Sequence, residues 1–206
     1  MPSRNIVKKF APNEIYHIYN RGVEKRTIFP DKKDYHVFTR LLELSLSGEK
    51  PDFMEYTRVK DKSESLELIA YCLMPNHFHF LIKLLDESGM TEFMRSISNA
   101  YVAYFNKKYK RVGSLFQGTY KAALVDKDEY LIHLSRYIHM NPLDINQKLE
   151  EYPYSSYKYF LDNESALTWV KPAAVLEQFN NPHEYKQFVE DYKIDSLKIL
   201  KDVILD

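Results

Sequence analysis

The stretch that most restricts what this chain can fold into is residues 66–85, LELIAYCLMPNHFHFLIKLL. Two apolar, β-prone runs, 66–74 and 77–85, are parted by the break Pro75-Asn76, and each reads as a strand. On a strand, residues two apart share a face. His77 and His79 therefore project together, while Phe78 and Phe80 turn to the other side. A strand buried on both faces would not choose imidazoles there. Two neutral imidazoles on one face can bind a divalent cation, provided a further ligand arrives from elsewhere. The other reading, a pair of satisfied sheet histidines, stays open on this stretch alone.

The rest of the chain supplies partners for these strands. EIYHIYNRG (14–22) alternates and ends at a glycine, which predicts a first strand. DKKDYHVFTRLLELSLSG (31–48) has helical spacing, with Asp31 placed to cap it and Gly48 just past its end. FMEYTRVK (53–60) reads as a strand joined to 66–74 by the polar turn DKSES. MTEFMRSISNAYVAYFNKKY (90–109) reads as a long amphipathic helix with Thr91 as its cap, and GTYKAALVD (118–126) as a strand. DKDEYLIHLSRYIHMNP (126–142) predicts a helix of about four turns, with Asp126 and Glu129 at capping-box spacing and Pro142 at its end. The order β-α-β-β-β-α-β-α implies an α+β fold, a largely antiparallel sheet with helices packed on it. Beyond Pro142 the pattern loosens, and residues 143–206 read as an appended, mostly helical extension rather than a second catalytic domain.

Charge separates these two parts. The 206 residues carry equal numbers of acids and bases, but 151–206 holds ten acidic and six basic residues, a net of −4. Residues 1–150 are left with +4, and 101–125 contains Lys107, Lys108, Lys110, Arg111 and Lys121 without a single acid. Such a patch is compatible with phosphate binding, as well as with an ordinary solvated face. Tyr101, Tyr104, Phe105, Tyr109, Phe116 and Tyr120 are interleaved with those cations, a mixture that suits single-stranded nucleic acid. Tyr101, Tyr104 and Phe105 also share a helical stripe, so part of this set belongs to the core. The lone Cys72 excludes an internal disulfide framework, and no stretch approaches a membrane span. The N-terminus has no signal-peptide pattern. A cytoplasmic protein is expected.

On the helix 126–141, Tyr130, His133, Tyr137 and Asn141 fall on one face, beside an apolar stripe of Leu131, Leu134 and Ile138. The polar face can present a tyrosine hydroxyl next to an amide ligand. It can equally be a half-buried tyrosine above a helix-ending asparagine.

Five ordered blocks decide between these readings. MPNHFHFLI resembles the histidine–hydrophobe–histidine ("HUH") motif of single-tyrosine transposases. YHIYNRGVEKRTIF, GSLFQGTYKA, SRYIHMNP and YPYSSYKYF are similar to further blocks of that family, above all of its REP-associated branch. The resemblance implies a ferredoxin-like α+β domain over residues 1–142. It implies that His77 and His79 hold Mg²⁺ or Mn²⁺ and that Tyr137 is the nucleophile. Insertion-sequence relatives place a glutamine one turn beyond the tyrosine; here that place holds the shorter Asn141, which takes the third metal position. His17, Arg21, Gln117 and Lys121 also occupy motif positions. Arg21, Lys107, Lys108, Lys110, Arg111 and Lys121 are the candidates for DNA contact, while His17 and Gln117 have no assigned role.

The implied activity is cleavage and rejoining of single-stranded DNA at hairpins through a 5′-phosphotyrosine, with no nucleotide cofactor. The alternatives are a catalytically silent hairpin-binding protein on the same fold and a hydrolase that uses water as nucleophile. A monomer is expected, as the extra region 143–206 resembles the REP-associated branch rather than the dimeric insertion-sequence relatives.

Overall fold

The computed structural model describes residues 9–48, 59–162 and 167–191. It contains the strands β1 (Ile15–Arg21), β2 (Leu66–Met74), β3 (His77–Leu84) and β4 (Lys121–Val125). The helices are α1 (Lys32–Leu46), α2 (Gly89–Lys108), α3 (Asp128–Met140), α4 (Tyr157–Leu161), α5 (Ala173–Leu176) and α6 (Pro182–Glu190). The strands form one antiparallel sheet in the order β2-β3-β1-β4. With α1 between β1 and β2, and α2 between β3 and β4, this is the ferredoxin-like α+β arrangement that the sequence implied. The strand expected over 53–60 lies outside the described residues except for Val59 and Lys60, which belong to no strand.

Alternation along the strands divides the core in two. Tyr16 and Ile18 of β1 and Phe78, Phe80 and Ile82 of β3 face α1 and α2. There they meet Phe38 and Leu41 of α1 and Phe93, Ile97 and Tyr101 of α2, and both β3 phenylalanines are fully buried. Asp31 caps α1 as expected: its carboxylate accepts from the Asp34 amide at 3.1 Å, and Asp34 returns the bond at 3.0 Å. Gly48 sits just past the helix with φ +74°, the left-handed turn that only glycine enters without cost. Thr91 does not cap α2, which begins two residues earlier, after Ser88.

The other face of the sheet carries α3, whose Leu131, Leu134 and Ile138 pack on Cys72, Leu81 and Ala123. The box expected from Asp126 and Glu129 does not form. The helix starts at Asp128 with Lys127 as its unbonded cap. Residues 152–156 and 170–171 run along the outer edge of β2. The Leu73 amide donates to the Tyr154 carbonyl at 2.9 Å, the Ser156 amide to Tyr71 at 2.9 Å, and the Lys171 amide to Leu68 at 2.8 Å. An edge strand otherwise offers its polar groups to any passing chain, and here the following segment satisfies them. Tyr157, Phe160, Val175, Tyr185 and Val189 then share the core of α3. No helix among the described residues is long and apolar enough to cross a membrane.

Candidate active site

The second face of the sheet is polar at one end. The register places Arg21 opposite His77 and Tyr19 opposite His79 on β1 and β3, and Lys121 of β4 opposite Tyr19. Residues paired across strands share a face, so Arg21, Tyr19, His77, His79 and Lys121 converge there, with His17 one step further along β1. The loop after α2 is stapled to the same end. The Gln117 amide donates to the Arg21 carbonyl at 2.8 Å, and the Asn20 side chain donates to the Gly118 carbonyl at 3.1 Å. Gly22 is required there, because a Cβ would come within 2.3 Å of the Arg26 carbonyl.

α3 brings its C-terminal turn to this patch. The Tyr137 ring stands nearly perpendicular to that of His79, with centroids 5.4 Å apart, and to that of His17 at 6.4 Å. Asn141, one turn on, donates from Nδ2 to the Tyr137 carbonyl at 2.8 Å, which aims Oδ1 at His77 Nε2, 3.2 Å away. The polar row expected along α3 is divided. Its four residues span about 16 Å of helix, so only the last two reach the histidines. His133 instead contacts Arg136 at 2.7 Å and packs against Phe188 of α6.

The hydrogen bonds around His77 leave one proton missing. Asn76 Nδ2 donates to the Lys25 carbonyl, which turns its Oδ1 to His77 Nδ1 at 2.6 Å. Both neighbours of the ring are thus amide oxygens, and a neutral imidazole has a single N–H to offer. The shorter contact takes it, leaving Nε2 and Asn141 Oδ1 as two acceptors face to face. An imidazolium would relieve this, but burial holds the His77 pKa below its usual value, with the Asn141 contact opposing and Arg21 reinforcing that shift. His79 is more extreme: burial first, then the neighbouring His17, His77 and Arg21, depress its pKa far below 6.5. His79 is inaccessible to solvent, yet its Nε2 has no hydrogen-bond partner. His77 Nε2, His79 Nε2 and Asn141 Oδ1 form a donor set that a hard or borderline divalent cation fits when both imidazole nitrogens present their lone pairs.

The cations fall into two groups. Arg21 and Lys121 flank the histidines; Lys121 Nζ lies 5.7 Å from the Tyr19 ring centre, and Arg21 Nε is buried with no partner. Lys107, Lys110 and Arg111 belong to the end of α2 and the turn after it, in the opposite layer of the molecule. Lys107 and Lys110 are exposed, and the Arg111 guanidinium lies 5.7 Å from the Phe105 ring centre. Lys108 is turned inward, its ammonium bridging Asp31 and the fully buried Asp34 at 2.7 Å each. The aromatic residues between these cations are largely structural: Tyr101, Phe105, Phe116 and Tyr120 are buried, and the Tyr104 and Tyr109 hydroxyls bond Asp34.

The sequence pattern that defines the family "Transposase IS200 like" matches residues 15–141, from the first residue of β1 to Asn141. The chain belongs to this family. Every IS200-like element described above, from β1 through α3, lies inside the match, and the edge-covering segment lies beyond it. Among solved structures, a REP-associated tyrosine transposase bound to a REP hairpin is similar with a TM-score of 0.57 at 12% identity, over 80% of this chain and 89% of that one. The likeness establishes a shared fold. A putative transposase from Deinococcus radiodurans R1 (17% identity, 67% of this chain and 95% of that one, TM-score 0.39) aligns more loosely. So does tRNA(His) guanylyltransferase from Saccharomyces cerevisiae (10% identity, 97% and 82%, TM-score 0.44). No curated protein sequence matches the chain.

Proposed function

We propose that this IS200-like transposase cleaves and rejoins single-stranded DNA beside hairpins, using Tyr137 as nucleophile and a divalent cation, Mg²⁺ or Mn²⁺, held by His77, His79 and Asn141. The observation that carries this reading is the meeting of Tyr137 with His77 and His79 of β3 and with Asn141, just past the end of α3. The similar fold of a REP-associated transposase bound to a hairpin supports the choice of substrate.

Tyrosine is a poor nucleophile at neutral pH, since about one molecule in a thousand is ionised. A cation at these three atoms supplies charge to neutralise the scissile phosphate and the leaving 3′ oxygen. The protein does the rest. Tyr137 stands on a helix fixed to the sheet by Leu131, Leu134 and Ile138, so its ring is presented rather than searched for. Arg21 and Lys121 flank the site with positive charge that favours a polyanion over a neutral ligand. In the step itself the Tyr137 oxygen bonds to phosphorus as its proton passes to solvent. The bond from phosphorus to the 3′ oxygen breaks, and that oxygen takes a proton. The phosphodiester energy is conserved in the 5′-phosphotyrosine, and attack by another 3′ hydroxyl returns the tyrosine and joins new strands.

The test uses hairpin oligonucleotides with single-stranded flanks, taken from the sequence around the gene. An SDS-resistant protein–DNA adduct is expected with Mn²⁺ or Mg²⁺, together with a free 3′ hydroxyl. Tyr137→Phe should bind the same hairpins and form no adduct. Hairpin binding without any adduct in the wild type points to the silent binder, and free ends produced by Tyr137→Phe point to a water nucleophile.

A further inference from the structure

His17 has no part in the chemistry above, although it is as buried as His79 and lies one strand away from it. Its Nε2 is 2.9 Å from His79 Nδ1. The two ring planes are within 16° of each other and the centroids are 5.1 Å apart, the arrangement of two imidazoles meeting nitrogen to nitrogen in nearly one plane. One proton lies between these nitrogens. If His17 carries it, a neutral His79 must hold its own proton on Nε2, and that N–H is buried with nothing to accept it. A buried N–H there could be matched by no cation, whereas a lone pair could. If His79 Nδ1 carries it, His79 Nε2 is left as a bare lone pair pointing into the site beside His77.

We propose that His17 is a positioning residue: it accepts the Nδ1 proton of His79 and thereby holds Nε2 unprotonated and aimed at the metal position. Asn76 does the same for His77, through the amide oxygen that its bond to Lys25 fixes. Both metal-facing nitrogens are thus set from behind by neighbours on the far side of each ring. Metal-bound histidines usually donate this rear proton to a carboxylate, a carbonyl or water. A neutral imidazole in that place adds no negative charge next to a site built for a phosphodiester. The choice of acceptor thus follows from the substrate's charge. This inference rests on the metal-dependent reading above, but its first consequence is visible without metal.

The experiment is long-range ¹H–¹⁵N correlation spectroscopy of metal-free protein at neutral pH, with Mn²⁺ binding measured by titration calorimetry on the same samples. Wild-type His79 is expected in a single tautomer, protonated on Nδ1. His17→Leu should lose that tautomer and bind Mn²⁺ about 10- to 100-fold more weakly. His17→Gln carries an acceptor oxygen the same number of bonds from the backbone, and should restore both the tautomer and most of the affinity. Finding wild-type His79 protonated on Nε2 overturns the proposal with no variant needed. So does His17→Leu that folds and binds Mn²⁺ as tightly as the wild type, or His17→Gln no better than His17→Leu. A wild type with the Nδ1 tautomer and no Mn²⁺ affinity refutes the metal reading, and the spectrum still establishes the role of His17 toward His79.

Discussion

Phe78 and Phe80 leave β3 on one side, and His77 and His79 leave it on the other. The phenylalanine side is closed by α1 and α2 mainly through apolar contacts; its polar exceptions are the Lys108–Asp31–Asp34 clasp at the helix ends, the Tyr101 hydroxyl donating to the Ile28 carbonyl, and the buried Ser45 hydroxyl. The histidine side is closed by α3 and the segment after it, and it keeps polar atoms in the interior. His79 Nε2 is left unpaired, and His139 is satisfied only by the Tyr185 hydroxyl at 2.7 Å and the Ser156 hydroxyl at 2.8 Å. One face is optimised for burial. The other gives up about 1–3 kcal/mol per unsatisfied buried group to keep lone pairs available. Natural chains break the rules of packing where a site requires it.

The sharpest way to break this contrast is to truncate adjacent residues on opposite faces. Phe78→Ala should lower the unfolding free energy by about 3–5 kcal/mol, because its ring is fully buried between the sheet and α1. His77→Ala, at a half-buried position on the site's edge, should change stability by no more than about 1 kcal/mol while Mn²⁺ binding disappears. Urea melts and calorimetry on the pair decide it. Equal destabilisation would mean that the two faces do not divide the labour in this way.

The clasp of the apolar layer offers a smaller effect. Lys108→Ala strips the cation from buried Asp34 and should cost about 1.5–3 kcal/mol, although the Tyr104 and Tyr109 hydroxyls remain bonded to it. Lys110→Ala, exposed two residues on, should leave the melt unchanged and reduce the salt slope of DNA binding by about one. A Lys108 variant that folds as well as the wild type but binds DNA poorly would reassign that lysine to the nucleic acid.

The smallest effect per step is the response of the polar layer to acid. Burial drops the His139 pKa to about 3, below its value in the unfolded chain. A depressed histidine contributes stability that is complete above the unfolded pKa near 6.5 and is lost as pH falls from there toward 3. The expected slope is on the order of 1 kcal/mol per pH unit. His139→Gln, which cannot titrate, should flatten it relative to the wild type in melts between pH 7 and 4. Parallel curves would show that the carboxylates alone govern the acid limb.

Much of this was legible in the chain. The strands read at 66–74 and 77–85 (the second ends at Leu84), the alternation of His77 and His79 with Phe78 and Phe80, and the Asp31 cap follow from periods and pairs a few residues long. The last turn of α3 was legible for the same reason, because Tyr137 and Asn141 are one turn apart on any helix. His133 misled because helical spacing says which residues share a face, not how far along that face a neighbour extends. Lys108 looked like its basic neighbours, since nothing local announces that Asp31 and Asp34 lie more than seventy positions away in sequence and next to it in space.

The sequence by itself determined the alternation that sets two histidines apart from the core and the helix that carries a tyrosine and an amide one turn apart. Only the tertiary structure decided what lies behind those histidines. His17 reaches His79 across 62 residues because β1 is inserted between β3 and β4, and residues 152–156 and 170–171 line β2 because its outer edge is otherwise open. Local patterns record the period of the backbone. Which strand becomes whose neighbour is settled by the burial of whole faces, a sum over contacts that no short stretch contains.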